Sequence, residues 1–254
     1  MDPLLLLADL PGVRASIDQA RTAIDAVLWN RQIRARAAQT AQYSLTAGAR
    51  ASAAIDGADL VMPDESPMGR VLDAALAVTA LAARSEGQWG AAPLQVLAAM
   101  HAQVARAMGS SSEPGRPRST ELADDPLRLG ALPAAAEVPG RLALLSSVLT
   151  RSDGAAALVV AGVVHAELQA LRPFPEGSGL IARAAVRCTL AQRGVDPALF
   201  TIPELGMSMM GRPAYVAAVR AYLGGTAEQM GEYLVWFAQV CRIGAQVAEQ
   251  QLDR

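Results

Sequence analysis

Three observations predict an all-α fold. Apolar residues recur at spacings of three and four through most of the chain, the pattern of one face of a helix. Alanine and leucine dominate, and both favour helices. Aromatic residues make up only 4% of the 254 positions, which disfavours sheets. A hydrophobic fraction of 52% against 18% charged residues is enough to bury a substantial core.

The elements follow in order. Residues 16–43 read as one long first helix, breaking near 44–48 into a shorter one that ends at Gly57, where a residue without Cβ suits a left-handed C-cap. The Pro/Asp/Ser stretch 62–67 is a linker. It divides a helical extension, 1–67, from the main body, 68–254. Helices are expected over 68–84 and 93–108. Residues 109–139, rich in Ser, Pro, Gly and Asp, cannot hold a continuous helix. Helices resume over 141–149 and 155–171, the second apolar on most faces and therefore buried. After a Pro/Gly-rich break another helix runs from 179 to 193, with Ser178 placed to cap its N-terminus. Two closing helices, 208–223 and 227–250, complete the chain.

Composition excludes several functions. A formal charge of −2 gives no footprint for nucleic acid or an anionic membrane. All 22 Lys+Arg positions are arginine, which excludes a Walker-type or kinase lysine and Schiff-base chemistry. Cys188 and Cys241 have no metal-ligand spacing and read as buried thiols. His101 and His165 have no partner at zinc spacing. The start of the chain has neither a basic nor an adequate apolar signal region, and the longest apolar run is too short for a bilayer. A soluble cytoplasmic protein with no membrane and no nucleic-acid partner is expected. No Gly-rich dinucleotide fingerprint supports a redox role.

The break at 171–183 reads LRPFPEGSGLIAR. It resembles the core motif of the Fic (Fido) family, H-P-F-x-[D/E]-G-N-G-R-x-x-R. Pro173, Phe174, Glu176, Gly177, Gly179 and Arg183 match; Arg172 stands at the histidine, Ser178 at the asparagine and Leu180 at the first arginine. The resemblance extends over roughly residues 43–250 and implies a Fic-like helical bundle with a short β-hairpin flap. Pro114-Gly115-Arg116-Pro117-Arg118 resembles the flap's introduction. Ser52-Ala53-Ala54-Ile55-Asp56-Gly57 resembles the family's inhibitory helix, [S/T]-x-x-x-E-[G/N], with Asp56 in place of glutamate; Ser52 and Asp56 share one helix face.

The resemblance implies a set of roles. The family histidine takes a proton from a target hydroxyl that attacks the α-phosphate of ATP. Backbone N–H groups of Gly177, Ser178 and Gly179 would cradle phosphate, Glu176 would hold Mg²⁺, and Arg183 would grip an outer phosphate. Arg172 cannot act as a base, because a guanidinium stays protonated. It reads either as an anion contact or as a cation complementing the helix C-terminus. Glu176 also reads as a loop acid, and the Ser52–Gly57 segment as a helix end with a glycine cap. His165, two turns before Arg172, lies roughly 10 Å away, too far to replace the missing imidazole, and reads as a packed core histidine. The expectation is a pseudoenzyme with a residual nucleotide or anion pocket and an unknown protein partner. Two alternatives stand beside it. One is an active nucleotidyltransferase or phosphodiesterase using Glu176, Asp56 or another base. The other is an interaction protein whose pocket is filled by its own side chains. The family arrangement implies that the helix of Ser52 and Asp56 packs over the motif with the Asp56 carboxylate toward Arg183; aspartate is one methylene shorter than glutamate, which leaves room for a bridging water.

Overall fold

The computed structural model describes residue 2 and residues 4–252. α1 (Val13–Trp29) buries Val13, Ala20, Ile24 and Val27, one stripe at helical spacing, and packs against the last helix. The long first helix expected over 16–43 is interrupted. The Asn30 side chain accepts the N–H groups of Gln32 and Ile33 at 2.9 and 3.2 Å, which ends α1 and starts α2 (Arg31–Ala35). α3 (Ala37–Ile55) then runs unbroken through 44–48. Its buried stripe, Thr40, Ser44, Gly48 and Ser52, is made of small and polar residues, so large neighbours can approach. Gly57 follows with φ +100, and the Ala58 N–H closes on the Ala53 carbonyl, the helix end the sequence predicts.

α4 (Pro67–Ala82) starts where the Ser66 hydroxyl accepts the Gly69 N–H. α5 (Glu86–Ala91) is too short to show periodicity and was not expected; it delivers buried Trp89, whose indole N–H donates to Thr189 Oγ1 at 3.1 Å. α6 (Pro93–Met108) ends at Gly109 with φ +63. α7 (Val138–Arg151) leads into α8 (Ala157–Leu171) and α9 (Ser178–Gln192), in which 12 and 14 of 15 residues are buried. These two form the central helix–loop–helix, surrounded on most sides. α10 (Pro203–Met210), α11 (Arg212–Gly224) and α12 (Ala227–Leu252) close the bundle. α10 lies backbone-to-backbone on α12: a Cβ at Gly206 would overlap the Val240 carbonyl, and one at Gly244 the Ile202 carbonyl. Buried residues from α1 to α12 form one apolar cluster, shared by 1–67 and 68–254.

The expected β-hairpin flap does not form. There is no strand among the described residues, and 109–134 is an irregular run. Pro114, Pro117, Pro126 and Pro133 deny it a continuous ladder. Its own N–H groups reach across instead, Arg118 N–H to the Pro173 carbonyl and Asp124 N–H to the Pro175 carbonyl, each at 2.8 Å. No helix of the described residues is long and apolar enough to cross a membrane.

Candidate functional site

α8 stops because Arg172 adopts the left-handed conformation, φ 42 and ψ 66, at its C-cap, turning the chain into Pro173–Gly177. Phe174 anchors the turn. It is 1% exposed and stacks on His101 with ring centroids 4.4 Å apart. Gly177, at φ +68, is the N-cap of α9, and a Cβ there would overlap Val104. Ser178 is therefore not the cap the sequence suggested but the first helical residue. Its hydroxyl folds back to accept the Phe174 N–H and donate to the Phe174 carbonyl, each at 3.2 Å. The turn leaves the α9 N-terminus, with its unpaired N–H groups and partial positive charge, facing the end of α3.

Arg183, one turn into α9, is wholly buried. Its Nε donates to Ser52 Oγ at 2.7 Å, and its Nη2 to the Ser52 carbonyl at 3.1 Å and to Asp56 Oδ2 at 2.6 Å. Tyr215 Oη accepts from Nη1 at 3.4 Å. The bridging water expected from aspartate's shorter side chain is not needed, because α3 lies close enough for direct contact: Asp56 Oδ2 stands 3.2 Å from where a Gly179 Cβ would be. Burial alone would lower the Arg183 pKa; the Asp56 carboxylate and Tyr215 reverse that and hold it above the usual arginine value. Asp56 Oδ1 is buried without a hydrogen-bond partner.

Glu176 points toward α6. Its Oε1 accepts from the Ser112 hydroxyl at 2.5 Å and from His101 Nε2 at 3.3 Å. His101 Nδ1 accepts the Gly115 N–H at 3.0 Å, which fixes the proton on Nε2. Burial pulls the His101 pKa down, against the raising effect of Glu176. The Gly177 N–H does not face an open pocket: it donates to Asp124 Oδ2 at 2.9 Å. Burial pushes the Asp124 carboxyl up to about 6; the Gly177 N–H opposes this, and the carboxylates of Asp56, Glu176 and Asp125 add to it.

Arg172 is held by the 109–134 segment. Its Nη2 donates to the carbonyls of Gly130 and Ala131 at 2.9 and 2.8 Å, and its Nη1 pairs with Asp125 at 3.0 Å. Of the residues read from sequence, Ser52, Asp56, Gly179 and Arg183 thus meet at one point, while Gly177 and Glu176 meet the 109–134 segment. Leu180 is 2% exposed and part of the apolar core. His165 is the packed core residue expected, its nitrogens 2.7 and 2.6 Å from the hydroxyls of Tyr233 and Tyr215, with burial holding its pKa down at about 3. Sequence reading missed Asp124, Ser112 and Tyr215 as partners of the motif. Each lies more than thirty positions from its partner in the loop or α9, and no local pattern marks them.

The groups that the resemblance assigns to Mg²⁺ and ATP are engaged within the chain. Glu176 Oε1 is engaged, the Gly177 donor is taken by a carboxylate, and Arg183 is closed by Asp56. No three His, Cys, Asp or Glu residues among those described converge to hold a metal ion.

Comparison with solved structures defines the class. The chain superposes on a Fic family protein from Desulfovibrio desulfuricans with a TM-score of 0.77 at 18% identity, over 96% of this chain and 76% of that one. It superposes on Fic-1 from C. elegans with a TM-score of 0.72 at 16% identity, over 95% and 73%. A Fic domain containing signaling protein from Bacteroides thetaiotaomicron gives 0.69 at 12% identity, over 94% and 98%. No protein-family model matches the chain, and no curated protein matches it. The chain has the Fic fold.

Proposed function

We propose that this protein does not transfer nucleotide, and acts through binding or regulation on a Fic scaffold whose anion cradle is held closed by its own side chains. The observation that carries this reading is Arg172. The residue at the position where the family resemblance places a general base is a permanent cation, committed to Asp125 and to two carbonyls. A nucleotide phosphate entering here would have to displace Asp124 from Gly177 and Asp56 from Arg183. Any ATP or Mg²⁺ binding is therefore expected to be weak in the unaltered chain and stronger in Asp56→Ala, with Arg183→Ala abolishing it. Calorimetric titration of ATP, with and without Mg²⁺, into the three proteins tests this. Equal, negligible heats in all three would leave a scaffold without a ligand pocket, acting on a protein partner alone.

One observation favours a second reading, an active nucleotidyltransferase or phosphodiesterase. Asp124, with its carboxyl pushed up to about 6 beside the Gly177 N–H, is poised to accept a proton near neutral pH. Label transfer from α-labelled ATP to lysate proteins, lost in Asp124→Asn, would establish that reading and overturn the first.

A further inference from the structure

Residues 110–131 touch the motif loop at successive points, and nearly all of the contacts are polar. Ser112 meets Glu176, Gly115 meets His101, and Asp124 meets Gly177. Two main-chain N–H groups reach the carbonyls of Pro173 and Pro175. Arg118, 4% exposed, donates to the carbonyls of Leu171, Arg172, Thr120 and Pro133 at 2.7–3.2 Å. Arg172 grips the far end at Asp125, Gly130 and Ala131, and from α11 Arg220 holds the Arg128 carbonyl while Arg212 reaches that of Pro126. Apolar burial is confined to Leu127 and Leu129. Most other side chains of the segment face solvent. A segment held mainly by hydrogen bonds, with little apolar area, opens at less free energy than the core it lies on.

Charge works against the closed state. Closing brings Asp124 toward Asp56 at the end of α3 and Glu176 in the motif loop. The cations facing those acids are Arg183 on Asp56 and Arg172 on Asp125, while the neutral His101 only donates a hydrogen bond to Glu176. From outside the segment, Arg172 both neutralises one of its acids and binds its backbone, so its loss removes an ion pair and two hydrogen bonds together.

We propose that residues 110–131 are a strap that opens as a unit over the motif loop, that Arg172 is its latch, and that the Asp124 carboxylate stands at the Gly177 N–H in place of a phosphate-type anion. Opening bares that N–H together with the first turn of α9, and an external anion competes with Asp124 for the same donor. The proposal goes beyond the pocket reading above and is read without nucleotide, so failure of ATP binding would leave the latch standing.

Trypsin under native conditions tests it, because Arg118–Ser119 and Arg128–Leu129 lie in the strap and Arg151–Ser152 lies outside it. Arg172→Met should speed cleavage within the strap by about tenfold, with no change after Arg151 and no change in Tm. Asp125→Asn, which removes the ion pair and one of the carboxylate's bonds to the Leu129 and Gly130 N–H groups but keeps the Arg172 carbonyl contacts, should act in the same direction. Inorganic phosphate, against chloride at equal ionic strength, should speed strap cleavage in the unaltered chain. Unchanged strap cleavage in both variants would overturn the latch. So would a rise after Arg151 in step with the strap, which would mean global loosening. Phosphate without effect would overturn the role of Asp124 as stand-in.

Discussion

Arg183 and Arg187 lie one turn apart on α9, and each reaches α3 in the same way. Arg187 takes the hydroxyl and carbonyl oxygens of Ser44 at 3.0 and 3.1 Å; Arg183 takes those of Ser52 at 2.7 and 3.1 Å. Each is also paired with a carboxylate, and there the two differ. Glu204 meets Arg187 through both oxygens, at 2.6 and 2.8 Å, and the Thr201 carbonyl adds a further acceptor at 3.4 Å. Asp56 meets Arg183 through one oxygen and leaves the other buried without a partner. A buried charge that is fully paired is a structural fastener; one facing a half-satisfied carboxylate beside a helix N-terminus retains capacity for another ligand. The same residue type on one helix face thus serves two ends, and the carboxylate's reach decides which.

The largest expected effect tests the fastener. Glu204→Ala leaves the Arg187 charge buried without its ion partner and should cost about 3–5 kcal/mol in urea denaturation. Gly48→Ala attacks the same point from α3, since its Cβ would overlap Arg187 Nη2, and should cost about 1–3 kcal/mol. Asp56→Ala should cost less than Glu204→Ala, about 1–3 kcal/mol, because Arg183 keeps both Ser52 oxygens and Tyr215. Equal losses for Asp56→Ala and Glu204→Ala would break the contrast between the two arginines.

pH dependence sharpens it further. The Asp124 carboxyl rises on folding from 3.8 to about 6, so the folded state binds the extra proton, and stability from this group is lost as pH climbs through that window. The His165 imidazole falls on folding from 6.5 to about 3, so its contribution is lost as pH drops through an overlapping window. The two slopes oppose one another. Asp124→Asn should therefore uncover the histidine slope, giving a urea midpoint that falls more steeply on acidification than in the unaltered chain. Parallel pH profiles for the two proteins would show that Asp124 is not held as described. The smallest effect concerns chemistry: Arg172→His alone should give no AMP transfer above background in a label assay, because Leu180 still lacks the phosphate clamp and Asp56 still closes Arg183.

Periodicity made the helices legible, and the structure reproduces 93–108 to the residue, because an amphipathic stripe is a local property. The Leu171–Arg183 run made the loop legible because tight turns demand particular residues: Gly177 has a positive φ and no room for a Cβ. The pairing of Ser52 and Asp56 with Arg183 was readable only through the resemblance. The matching pair of Ser44 with Arg187 went unread, although serines eight apart on α3 and arginines four apart on α9 leave a faint periodic trace. The break at Asn30 was missed because a cap of one residue interrupts no hydrophobic pattern.

By itself the sequence determined an all-helical chain and a glycine-bearing turn between two buried helices, since both rest on residue type and local spacing; that Arg172 stands at the family's histidine position was implied by the resemblance alone. Tertiary structure alone decided that the Gly177 donor faces Asp124, that Glu176 is engaged by Ser112 and His101, and that Arg172 pairs with Asp125. Those contacts join residues 47 to 75 positions apart, across a segment with no regular structure, and only the packed chain sets which polar group meets which.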